Sequence, residues 1–230
     1  MIPIKDLNPR QTTPVVTVAL IVANVLFFLY EISLGQRVEG FLMSAAFVPA
    51  RIQDGVPAAM GSALLSMFLH GGWAHLLGNM LFLWVFGDNV EDRLGHGRYL
   101  LFYLLAGYAA AFTHAFFSPS SMVPAIGASG AISGVLGAYL FLHPKARIVT
   151  VVWFLFFIRF IQIPAIVYLP IWFLLQVFSG VSSLHASADT AGGVAFWAHI
   201  GGFVAGPLLL LLLGGWRRRT VEVERVRSPW

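Results

Sequence analysis

Cysteine is absent from the 230 residues. That absence excludes disulfide frameworks, zinc–cysteine sites and thiol catalysis. Charge is scarce too: Asp, Glu, Lys and Arg make up 10% of the chain, where a soluble domain carries about 25%. No HExxH string is present, and His70 and His75 have no glutamate between them, so a zinc-peptidase site is excluded. An aspartyl mechanism needs two carboxylates sharing a membrane site, and Asp88 stands alone at a helix end. Internal repeats and low-complexity tracts are missing, and no stretch reads as a separate soluble domain. The net charge is +4, but the basic residues lie between apolar runs and near the C-terminus. They form no nucleic-acid patch.

Apolar surface is what the chain has in excess. Hydrophobic residues reach 58% and mean hydropathy is +0.81. Such a composition cannot clothe a water-facing surface, so lipid is the expected solvent. A helix crosses the hydrocarbon core with about 20 mostly apolar residues. Spans are expected at about 13–33, 72–89, 98–117, 127–143, 162–180 and 194–214. The first is read as a retained span, because the uncharged run from Gln11 to Tyr30 exceeds a signal-peptide core. Residues 55–71 contain Pro57, Gly61 and Gly71 and fit a partly buried loop. The run 148–158 is too short to cross and reads as an interfacial segment; the alternative is a longer, kinked fifth helix starting near Val149.

With the N-terminus inside, twelve of the fourteen Lys and Arg fall on the inner side and only Arg37 and Arg51 outside. This bias supports six spans with both termini cytoplasmic. The expected organisation is a cytoplasmic segment 1–12, a membrane domain 13–214 and a basic tail 215–230.

Polar groups inside a membrane are costly and mark function by default. Here the ones singled out are His70, His75, Asn79, Ser129 and His199. His75 and Asn79 start the second span, Ser129 the fourth and His199 the sixth. All three spans enter from the outer face, so these groups share one depth. Rows of small residues (Gly130, Gly134, Ala138 and Ala198, Gly202, Gly206) let spans four and six approach closely. That approach would bring Ser129 Oγ to the His199 ring. Serine with histidine is a nucleophile–base pair, and no carboxylate is at hand in the outer half of these spans, so a dyad is expected. His75 and Asn79, at i and i+4 on one face, can donate to an oxyanion, as can the Ser129 amide.

These residues carry a resemblance. Gly127-Ala-Ser129-Gly130 resembles the GxSG motif of rhomboid intramembrane proteases. Ala198-His199-Ile-Gly-Gly202 with Gly206 resembles their last-helix AHxxGxxxG motif. The stretch from His70 through His75 to Asn79 resembles HxxxxHxxxN, and Gly87 to Gly95, with Glu91 and Arg93, resembles the inner turn. Some members carry a Tyr stacked on the base where this chain has Ser133, and a Trp-Arg pair where it reads Met60-Gly61-Ser62. Ser133 itself or nearby aromatics such as Trp197 are then expected to orient His199.

The resemblance covers about residues 12–214. It implies an all-α membrane protein, a rhomboid-like bundle of six transmembrane helices, hydrolysing single-span membrane protein substrates near the outer boundary. It implies Ser129 as nucleophile, His199 as base, His75 and Asn79 at the oxyanion, and His70 in support. Cofactor and metal are not implied. The segment 35–71 corresponds to the family's large first loop, and the fifth span with loop 181–195 to a gate. The minimal form suggests a prokaryotic plasma membrane. The rival reading is a non-proteolytic rhomboid-like protein that binds membrane clients; a proton-relay transporter would need repeats or mid-membrane charges that this chain lacks.

Overall fold

A computed structural model describes residues 1–154, 157–183 and 195–215. Its frame is six long helices that alternate in direction: α1 (Val15–Ser33), α4 (Trp73–Leu94), α5 (His96–Phe117), α6 (Ser129–Leu142), α7 (Ala165–Ser183) and α8 (Phe196–Leu212). Two short helices, α2 (Val38–Ala45) and α3 (Val56–Ser66), fill the connection between α1 and α4. By length and apolarity α1, α5 and α7 each qualify to cross a bilayer. The others are held in the bundle by packing.

Helix α6 is the centre. Its ten residues from Gly130 to Tyr139 are all buried. On one side α5 presses Ala110 and Ala106 against Gly130 and Gly134. On the other, Gly202 and Gly206 of α8 lie on the carbonyls of Gly130 and Gly134, and Gly137 lies on the carbonyl of Phe203. A Cβ at Gly137, Gly202 or Gly206 would collide with backbone, and one at Gly130 or Gly134 with the Cβ of Ala110 or Ala106. The small-residue rows therefore set the helix separation, as close membrane packing requires.

The segment expected to lie at the interface before α7 is a β-hairpin. Strands β2 (Arg147–Phe154) and β3 (Phe157–Pro164) pair antiparallel, and β1 (Ile2–Asp6) adds to the free edge of β2, giving the order β1-β2-β3. The helical bundle is thus floored by a three-stranded sheet. The kinked-helix alternative starting near Val149 is not found; the segment does not cross as a helix. Tyr139 Oη donates to Asp6 at 2.7 Å and Asn89 Nδ2 donates to the same carboxylate at 3.0 Å, tying the sheet to α6 and α4.

Helix α4 runs to Leu94, five residues past the expected end at 89. The extension carries Glu91, which is buried and accepts the Val16 and Thr17 amides at 2.8 Å and the Thr17 hydroxyl at 2.7 Å. A carboxylate from one helix so caps the start of another, where orphan N–H groups and the dipole favour it. Asp92 does the same for the Thr12 amide and hydroxyl. Gly95, at φ +76, then turns the chain into α5 with no residue to spare.

Residues 55–71, read as a loop, contain α3. It packs Ala59 and Ala63 with Phe47 and Ala115 in a small apolar cluster. The expected gate loop lies outside the described residues over 184–194, as does the expected tail over 216–230.

Candidate active site

Ser129 is the first residue of α6. Fourteen residues of helix rise about 21 Å, which falls short of a hydrocarbon core of about 30 Å. Its far end meets the sheet through Tyr139 and Asp6, so Ser129 stands at the end of α6 away from the sheet. The strand-like approach to it is pinned: Ala125 bridges to Phe47, the Gly127 amide donates to the Ser66 carbonyl at 2.8 Å, and the Phe47 amide donates to the Ser66 hydroxyl at 2.6 Å. The first amides of α6 have no intrahelical acceptor.

His199 is on the first turn of α8. Its Nε2 lies 2.7 Å from Ser129 Oγ. The close approach of α6 and α8 brings together two groups 70 residues apart in sequence. The other ring nitrogen, Nδ1, lies 2.8 Å from Gln176 Oε1 on α7. Trp172, one turn earlier on α7, and Phe196 flank the imidazole, with ring centroids 6.1 and 6.5 Å away. Aromatic neighbours thus flank the ring, but the two residues singled out for this, Ser133 and Trp197, are engaged elsewhere. Ser133 Oγ donates to the Ser129 carbonyl at 2.6 Å, within its own helix, and Trp197 stacks on Phe117 at 4.1 Å.

Gly127 lies against His75, and its φ is +118. A Cβ there would stand 2.6 Å from His75 Nε2 and 3.4 Å from Asn79 Nδ2. The missing side chain lets both polar groups of α4 reach the Ser129 end of α6. Gly130 of the same motif serves packing, as described above.

His70 is buried at 2% exposure and is not among the residues that line the cavity described below. Its Nδ1 donates to the Phe68 carbonyl at 3.3 Å, and its Nε2 accepts from Asn79 Nδ2 at 3.0 Å. One N–H of the Asn79 amide remains free to donate elsewhere. The His70 amide in turn donates to the carboxylate of Glu31, a buried residue of α1, at 3.2 Å from each oxygen. Glu31 and Gln176 escaped the sequence reading. Glu31 is the one carboxylate of α1 and Gln176 the one amide of α7, and the cost of burying such groups among apolar neighbours was the signal available.

Ser129, His199, His75, Asn79 and Gln176 line one cavity of about 780 Å³. It runs between α4 and α7 and reaches α2, where Leu42 and Met43 meet it. Its walls are mostly apolar, with the polar groups converging at Ser129, the usual make-up of a site for a small segment of ligand.

A bundle of apolar helices with such a pocket defines a multi-pass membrane protein with a buried polar site. The chain belongs to the rhomboid family: the Rhomboid domain family model matches residues 58–216. It is 38% identical over 141 residues to rhomboid protease GluP of Bacillus subtilis (strain 168), covering 61% of this chain and 26% of that protein. It is 34% identical over 154 residues to RHOMBOID-like protein 4 of Arabidopsis thaliana, covering 66% and 34%. The human mitochondrial presenilin-associated rhomboid-like protein is 31% identical over 153 residues, covering 62% and 35%. The chain thus spans about a quarter to a third of the length of these relatives.

Proposed function

We propose that this protein is an intramembrane serine endopeptidase that cleaves single-span membrane proteins near the outer boundary of the bilayer. The observation that carries the reading is the 2.7 Å contact between His199 Nε2 and Ser129 Oγ at the wall of a cavity of about 780 Å³. Family membership and the similarity to a rhomboid protease support it.

In this scheme a substrate segment unwinds at its outer end, because a regular helix hides its carbonyls in internal hydrogen bonds. Gly and other weak helix formers ease that step. Ser129 Oγ attacks the exposed carbonyl carbon while His199 Nε2 takes the hydroxyl proton. The oxyanion is met by the free Asn79 N–H, by His75 and by the Ser129 amide. The imidazolium returns its proton to the leaving amine, and water then hydrolyses the acyl-enzyme. The catalytic residues are Ser129 and His199; residues 13–214 form the domain that holds them. The sheet face is assigned to the cytoplasm of a prokaryotic plasma membrane on the basic bias, with both termini there.

The test uses purified protein in liposomes, a fluorophosphonate probe and a single-span reporter. Wild type is expected to label and to cleave. Ser129→Ala and His199→Ala are expected to do neither. Reporter cleavage by Ser129→Ala at the wild-type rate would refute the scheme. Absence of both labelling and cleavage in wild type would instead favour a client-binding protein.

A further inference from the structure

We infer that Gln176 is a positioning residue that selects the tautomer of His199 and holds its ring toward Ser129. The inference rests on the hydrolase reading above. Its ground is the contact of 2.8 Å between Gln176 Oε1 and His199 Nδ1. An amide oxygen can only accept. With the amide oxygen on that side, Nδ1 carries the hydrogen, and Nε2 is left with a lone pair aimed at the Ser129 hydroxyl, 2.7 Å away. In the other tautomer two lone pairs would face each other across 2.8 Å, and Nε2 would present a hydrogen to Ser129 instead of taking one. Only the first tautomer can act as the base.

The position is costly unless it is used. Gln176 is flanked by Leu174, Leu175, Val177 and Phe178 in a span whose outer face meets lipid, with Leu174 and Phe178 well exposed. A lone amide there loses its water without compensation unless it finds a partner. The partner it has is the ring of the proposed base. Trp172 stands on the same face of α7 at i−4 and lies beside that ring. Two residues of α7 thus frame an imidazole carried by α8. A neutral acceptor also avoids the cost of a buried carboxylate, while its dipole still favours the imidazolium formed during attack. Other titratable groups acting on His199 are His75 of α4 and His114 of α5, both bases.

Gln176→Met keeps length and apolar packing and deletes the acceptor. In liposomes its fluorophosphonate labelling rate and its kcat on the reporter are both expected to fall about 10- to 100-fold, at the low end of what a positioned base contributes, with KM within about twofold. Imidazole 15N resonances give a readout independent of turnover: wild type is expected as a single Nδ1–H tautomer and Gln176→Met as a mixture. Gln176→Glu restores an acceptor and is expected to regain most of the labelling, with the acid limb of its pH profile moved to higher pH because a carboxylate favours imidazolium. Should Gln176→Met fail to fold, this variant decides the matter: labelling depressed at every pH overturns the inference. Equal labelling by Gln176→Met and wild type, or a loss confined to KM, overturns it as well. Failure of wild type to label removes the hydrolase reading itself, while the tautomer measurement still judges Gln176.

Discussion

Gly127 shows how much one absent methyl group decides. Its φ of +118 suits no L side chain, and His75 occupies the volume a Cβ would take. Gly127→Ala must push His75 away from Ser129. The expected result is a folded protein with kcat lowered about 100-fold or more, the scale of a lost oxyanion donor, measured on the liposome reporter. Asn79→Ala removes one donor and strips His70 of its partner. A donor of this kind is worth roughly 2.7–4 kcal/mol, so turnover should drop about 10²- to 10³-fold without vanishing. An unchanged kcat in Asn79→Ala would remove this residue from the oxyanion role. At this scale the sequence indicated which side chains would gather, Ser129, His199, His75 and Asn79, because each lies in a motif near the start of its helix. Gln176 and Glu31 were illegible because their partners lie on other helices. Nothing in a span read alone says which neighbour a single amide or carboxylate will meet.

Among the elements, α6 depends on glycine on the face toward α8. Gly202→Val would drive its side chain into the Gly130 carbonyl, which cannot rotate aside. Overpacking costs about 1–3 kcal/mol in a core that can adjust, and a backbone obstacle places the expected loss at the upper end, read from unfolding in detergent. Glu91→Ala should be comparably harmful. It leaves the Val16 and Thr17 amides without their acceptor, at about 1–3 kcal/mol for each buried group stranded. The long helices were legible because lipid forces every spanning segment to be long, apolar and internally hydrogen-bonded. The sheet was not. Residues 148–158 are apolar at nearly every position, so the alternation that announces a strand is erased. The end of α4 departs from expectation for the opposite reason: Asp88, Glu91, Asp92 and Arg93 look like a solvated terminus, yet Glu91 is fully buried as the cap of α1.

For the whole molecule, orientation and the sheet are what remain to be probed. Because the chain has no cysteine, single replacements report cleanly. Gln162→Cys on β3 and Ser118→Cys after α5 lie at opposite ends of the bundle, and an impermeant maleimide should label only Ser118→Cys in right-side-out cells. Labelling of both, or of Gln162→Cys alone, would reverse the assignment. The sheet also carries a pH signature. Burial raises the carboxyl of Asp6 above its ordinary value of 3.8. A raised folded-state value means that its stabilising contribution is complete below the ordinary value and is lost as pH climbs through the raised one. Wild type should therefore lose thermal stability over that interval, and Asp6→Asn should flatten the loss in a melting series. The pairing of Ile2 with Val151 has a further consequence for biogenesis. The first strand leaves the ribosome roughly 150 residues before its partner, on the order of 7–30 s at about 5–20 residues per second. Throughout that wait α1, α4, α5 and α6 must enter the bilayer while β1 stays unclaimed. The floor of the bundle can close only after four insertions are complete, so the sheet acts as a latch that records the finished order of threading.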